Sequence, residues 1–153
     1  MSLLVVGHFC LSNGRQEVVN KIGPSGNHTS HAFIVYDVPF RSTQGPAAPA
    51  NIRIYGGPNG VPLMENTVAF AIAQAFVTAD GSVRMDASFL VPVPGDPDDD
   101  TYEDGIPDVP IPFIFGVGQV MHSVPSTPQN SISSFQVSVS EYVRDARRFS
   151  TIK

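Results

Sequence analysis

The chain has 153 residues, a net charge of −5, 42% hydrophobic and only 15% charged residues, 13 glycines, 14 prolines and no tryptophan. That length fits one domain, residues 1–153, able to bury roughly two-thirds of its unfolded surface. So turn-rich a composition argues against a helical bundle, Cys10 alone cannot form an internal disulfide, and no apolar run approaches the about 20 residues of a transmembrane helix.

The opening Met1-Ser2-Leu3-Leu4-Val5-Val6 has no basic flank and is interrupted at Gly7-His8. It reads as the start of a first strand, Leu3 to Leu11, and not as a signal peptide; with the lone Cys10 this predicts an intracellular protein, cytoplasmic or nuclear. Ser12 to Ser30 reads as a polar loop, and His31 to Phe40 as a second strand stopped by Pro39. Ser42 to Ala50, rich in Pro, Ala and Gly, reads as a loop without regular structure. Asn51 to Tyr55 is a short third strand halted by Gly56-Gly57-Pro58-Asn59-Gly60.

The chain is organised around Thr67 to Pro94, which predicts one long β-hairpin. Val68, Phe70, Ile72, Gln74 and Phe76 alternate with Ala69, Ala71, Ala73 and Ala75, a period of two that outweighs the helix propensity of alanine. Asp80-Gly81 supplies the tight turn. The returning arm puts Val83, Met85, Ala87, Phe89 and Val91 on one face and Arg84, Asp86 and Ser88 on the other. An acidic, proline-rich loop then covers 95–112, followed by a strand from Phe113 to His122 carrying Gly116 and Gly118. After a Pro/Ser/Asn loop, Phe135 to Val139 alternates again. Val139, Tyr142, Val143, Ala146 and Phe149 then recur at helical spacing behind Ser138-Val139-Ser140-Glu141, a capping-box pattern. This predicts a short helix from about Ser140 to Arg148, with a continued strand as the alternative.

Charge is segregated. Seven of the 14 acids lie between Asp96 and Asp108, and Arg144, Arg147, Arg148 and Lys153 fall in the last ten residues. Counting Gly105 as the sixth residue of a calcium-type loop places Asp100 first, Asp104 fifth and Asp108 ninth. Tyr102 then sits where an oxygen ligand belongs and no Glu closes the loop, so a solubilising or partner-facing segment is the competing reading. No Gly-x-Ser-x-Gly elbow, phosphate loop or dinucleotide fingerprint is present. The expectation is a protein that is not an enzyme and needs no cofactor.

The run from Gly7 through Phe33-Ile34-Val35-Tyr36, Ile52-Arg53-Ile54 and Val68 to Phe76 resembles an oligonucleotide/oligosaccharide-binding (OB) fold. That resemblance covers about the first 95 residues and rests on strand order. It implies a mainly β protein, a single small closed or partly open antiparallel barrel of about seven strands with the short C-terminal helix. It also implies single-stranded nucleic-acid binding by basic and aromatic side chains on a strand face. Tyr36, Arg53, Tyr55 and Arg84 are the candidates there, with Arg144, Arg147 and Arg148 of the basic end. The low-charge, Pro-rich texture also resembles that of proteins of mushroom-forming fungi. A second expectation is therefore a protein- or glycan-interaction protein, lectin-like or immunomodulatory, using exposed aromatics and the acidic loop. Self-association is expected in that case, and membrane association in neither.

Overall fold

Ala69, Ala71, Ala73 and Ala75 are almost fully buried, and the packing of the molecule follows from that row of small side chains. A computed structural model describes residues 2–22, 25–42, 45–107, 111–124, 134–144 and 146–152. Its strands are β1 (Ser2–Cys10), β2 (Ser12–Ile22), β3 (His28–Ser42), β4 (Gly45–Tyr55), β5 (Val68–Val77), β6 (Val83–Pro92), β7 (Phe113–Val117), β8 (Gln119–Val124), β9 (Ser134–Val143) and β10 (Ala146–Ile152). The fold is mainly β. A seven-stranded sheet runs in the order β2-β3-β4-β6-β5-β1-β7, and a three-stranded sheet in the order β10-β9-β8. The larger sheet does not close by hydrogen bonding, since β2 and β7 end it. Among the described residues every strand pair is antiparallel except β4 with β6, which is parallel.

β5 and β6 form the expected central hairpin, and Gly81 takes the positive φ of 84° that its turn requires. Thr78 and Ser82 close the turn: the Thr78 N–H donates to the Ser82 carbonyl at 2.8 Å, and the Asp80 carboxylate accepts from both hydroxyls. Those hydrogen bonds, Thr78's first, hold the Asp80 carboxyl below its ordinary range. A folded-state value below the unfolded one means the turn's contribution is present above the unfolded value and lost as pH falls through the folded one. Asp80→Asn is therefore expected to flatten the acid side of the melting-temperature profile. Melts followed from neutral to strongly acidic pH check this, and an unchanged profile counts against it.

The alanine face of β5 is the inner one. It packs with Leu3, Val5 and Phe9 of β1, Ile34, Tyr36 and Val38 of β3, Ile52 of β4, and Val83 and Met85 of β6. Val139 of β9 joins the same cluster, and β9 and β10 approach β5 closely, which side chains this small permit. The large residues Phe70, Ile72 and Phe76 lie on the opposite face and are half-buried. In β6 the expected alternation breaks at Ser88. Ile72 pairs with Phe89 and Ala73 with Ala87, so Ser88 is an extra residue, and its hydroxyl donates to the Ile72 carbonyl at 3.2 Å. The bulge turns Phe89 and Val91 away from the Met85 face and leaves both exposed.

Four expectations are corrected. The C-terminal segment is a β-hairpin, with Val143 paired to Ala146 around Arg144 at φ 55°; among the described residues the only helix is a 3₁₀ turn, Tyr102–Gly105. Ser12 to Ile22 is a strand and not a loop, paired with β3 from Asp37 to His28. Gly45 to Ala50 is also strand, despite Pro46 and Pro49. β6 begins to pair with β4 only at Ala50, so the missing N–H groups face no neighbour there. The strand expected from Phe113 to His122 is two strands, β7 and β8, which change sheets at Gly118. No helix among the described residues is long and apolar enough to cross a membrane.

Candidate binding face

β3 and β4 are adjacent and antiparallel, so the side chains of directly paired residues share one face. Phe33 pairs with Tyr55 and Val35 with Arg53, while β2 places His31 beside Val19 and Glu17 beside Phe33. Away from the core this face carries an aromatic cluster. Tyr55 is 61% exposed; the Phe33 ring meets it edge-on at 6.0 Å between centroids and the His31 ring at 6.4 Å. The Arg53 guanidinium lies 4.1 Å from the Phe33 ring centre.

Arg53 is not a surface cation. It is 5% exposed, and its Nε and Nη2 donate to the two oxygens of Asp86 at 3.0 and 2.7 Å. The parallel β4–β6 register puts Arg53 directly beside Asp86 and Asn51 beside Arg84. Arg144, in the turn between β9 and β10, arrives from the other sheet. Its backbone N–H donates to Asp86 Oδ2 at 2.8 Å, its Nε lies 3.5 Å from Oδ1, and its Nη2 donates to Asn51 Oδ1. Burial lowers the Arg144 guanidinium from its ordinary range, and the Asp86 charge acts in the opposite direction. A separate ion pair, Arg15 with Asp37 at 3.0 Å, lies on β2 and β3.

Arg53, Tyr55, Arg84 and Arg144 thus come together around β4 and β6. Tyr36 does not: it is 2% exposed on the inner face, its hydroxyl accepts from the Leu63 N–H at 2.8 Å, and burial raises its phenol. Arg147 and Arg148 belong to β10, and their side chains lie outside the described residues. Phe33, His31 and Asp86 were missed as parts of the face. The signal was present in the alternation Phe33-Ile34-Val35-Tyr36, but it needs the β3–β4 register to place Phe33 beside Tyr55.

The acidic loop is pinned by Tyr102, whose buried ring sits against Gly95 and whose hydroxyl accepts from the Val68 N–H at 3.1 Å. Two of its acids, Asp96 and Asp99, brace the loop itself. The Asp99 carboxylate accepts from the N–H and hydroxyl of Thr101, both at 2.8 Å, which keeps its carboxyl below the usual range. Asp100 and Asp104 are exposed, Asp108 lies outside the described residues, and no three His, Cys, Asp or Glu gather as a metal site among those described.

A cleft of about 490 Å³ at the end of β1 is lined by His8, Cys10, Arg41 and Glu103 together with prolines. Burial first, then the Glu103 and Glu65 charges, raise the Cys10 thiol. Raising it keeps the thiol protonated at neutral pH, the opposite of what a nucleophile requires. His8 packs against Phe70 at 5.3 Å between ring centres. Comparison with protein-family models, curated proteins and solved structures finds no match.

Proposed function

We propose that the chain is a non-enzymatic binding module, a partly open OB-type barrel that takes single-stranded nucleic acid on its β3–β4 face. Support for the barrel comes from connectivity. Leu11 alone separates β1 from β2, so one bent run of chain serves β5 on one side of the molecule and β3 on the other. β1 also packs near β3, and the single parallel pair joins β4 to β6. Reading β1–β2 as the first barrel strand makes β3 and β4 the second and third, the pair whose outer face binds ligand in OB proteins.

The observation that carries the reading is Tyr55, exposed on that face and flanked edge-on by Phe33 and His31. An exposed ring held by neighbours is a platform on which a base stacks whatever its sequence. Arg53 and Arg144 share the one Asp86 carboxylate, which leaves about one net positive charge at the cluster, so phosphate contacts are few. Binding is expected to be modest, with log Kd against log salt sloping by roughly 1. Tyr55→Ala is expected to weaken binding of a labelled oligothymidine by roughly ten-fold, the loss of about 1–3 kcal/mol of stacking. Fluorescence anisotropy across a salt series reads both. No oligonucleotide binding at low salt ends this proposal.

Arg53, buried and held by both oxygens of Asp86, favours one second reading, a neutral glycan whose sugar ring stacks on Tyr55. Retention on a glycan array that Tyr55→Ala abolishes, without an oligonucleotide shift, selects it.

A further inference from the structure

β7 leaves two kinds of surface open at once. It is the last strand of the larger sheet, with β1 on one side and no strand on the other among the described residues. Every residue in it is exposed: Phe113 61%, Ile114 53%, Phe115 58% and Val117 66%, with Gly116 between. Nothing guards this edge, because Phe113-Ile114-Phe115-Gly116-Val117 contains no charge and no proline. The apolar surface also continues inward. Phe113 pairs with Val6 and Phe115 with Leu4, Val6 pairs with Ile72, and Ile72 with Phe89. That row, from Phe113 through Val6 and Ile72 to Phe89, carries no charged side chain.

We propose that β7 pairs with the β7 of a second copy of this chain, antiparallel, about a two-fold axis through Phe115. Three observations point to a second copy. An antiparallel strand pair is its own complement, as a two-fold interface requires. Centred on Phe115, the register sets Phe113 against Val117 of the other copy and Ile114 against Gly116, so each large side chain meets a smaller one, and Phe115 meets itself. The charge-free edge brings none of the chain's net −5 into contact with itself, and it offers nothing to a charged partner.

The contact is a small one. With about 150–250 Å² per phenylalanine, the half-exposed Phe113 and Phe115 offer roughly 200 Å² per copy. Ile114, Val117 and the newly paired backbone add to this but leave it below the about 800 Å² per partner of a standard interface, so the dimer is expected to depend on protein concentration.

Light scattering on the full chain eluting from a sizing column tests the proposal. The expected mass is twice the 16.4 kDa of one chain, and Phe115→Lys, which sets two ammonium groups face to face on the axis, is expected to give a monomer with an unchanged strand circular-dichroism spectrum. A monomer at every concentration, a still-dimeric Phe115→Lys, or open-ended polymers overturn it. Should Phe115→Lys fail to fold, the double variant Cys10→Ser, Phe115→Cys decides. A residue on the axis forms a covalent dimer under mild oxidant, and a dimer that resists cross-linking places the interface elsewhere.

Discussion

Asp86→Ala is expected to destabilise the protein by about 3–5 kcal/mol, a large share of the about 5–15 kcal/mol that holds a domain of this size folded. One carboxylate does two jobs there. Both of its oxygens accept from Arg53, a guanidinium almost wholly withdrawn from water, and one of them also accepts from the backbone of Arg144. Removing it leaves a buried cation without its carboxylate and unfastens the β9–β10 turn from β6 in the same step, with only the Arg144–Asn51 hydrogen bond still tying that arginine to β4. Desolvation has already been incurred on the Arg53 side, so the deficit is much larger than the value of a surface ion pair. A urea midpoint measured beside that of the double variant Asp86→Leu, Arg53→Met separates the two effects. The double variant removes the stranded charge and is expected to recover most of the loss contributed by Arg53, while the part due to Arg144 persists. A change within about 0.5 kcal/mol for Asp86→Ala would falsify the claim that this carboxylate joins the two sheets.

How much of this was readable in advance depends on which force fixes each element. The β5–β6 hairpin was legible because side-chain alternation and a glycine with positive φ report on the same local geometry. β2 was not: nearly all its side chains are exposed, and main-chain pairing with β3 holds it, which leaves no hydrophobic signature. The C-terminal hairpin read as helix because Val139 and Val143 are four apart, an interval that returns to the same side of a helix and the same face of a strand alike. The bulge at Ser88 depends on the register against Ile72, which no local pattern encodes. The candidate face was half legible. Arg53 and Tyr55 are two apart and so share a face, but that Arg53 is consumed by Asp86 requires the parallel pairing of β4 with β6, strands separated by the whole of β5.

Gly118→Ala is the second large effect expected. β7 and β8 are one run of chain that leaves the larger sheet and enters the smaller one at this residue. A Cβ built there lies 2.4 Å from Val137 Cγ1, 2.6 Å from the Ser138 carbonyl oxygen and 3.0 Å from Val139 Cγ2. A valine methyl can rotate away, but the carbonyl belongs to the β9 backbone, which pairs with Gln119 through Ser138, and Val139 is anchored in the core. The strain therefore has no cheap outlet, and a cost at or above the about 1–3 kcal/mol of ordinary overpacking is expected. Gly105→Ala is the matched control. No atom lies within 4 Å of its added Cβ, and its backbone does not require glycine, so a shift within about 0.5 kcal/mol is expected. Denaturant midpoints give the two energies, and limited proteolysis of β8 to β10 tells where the strain goes. Early cleavage there, with β3 to β6 still protected, identifies the close contact at Gly118 as what seats the small sheet on the large one. If Gly118→Ala melts like Gly105→Ala, β8 reaches β9 by a less constrained path than this packing describes.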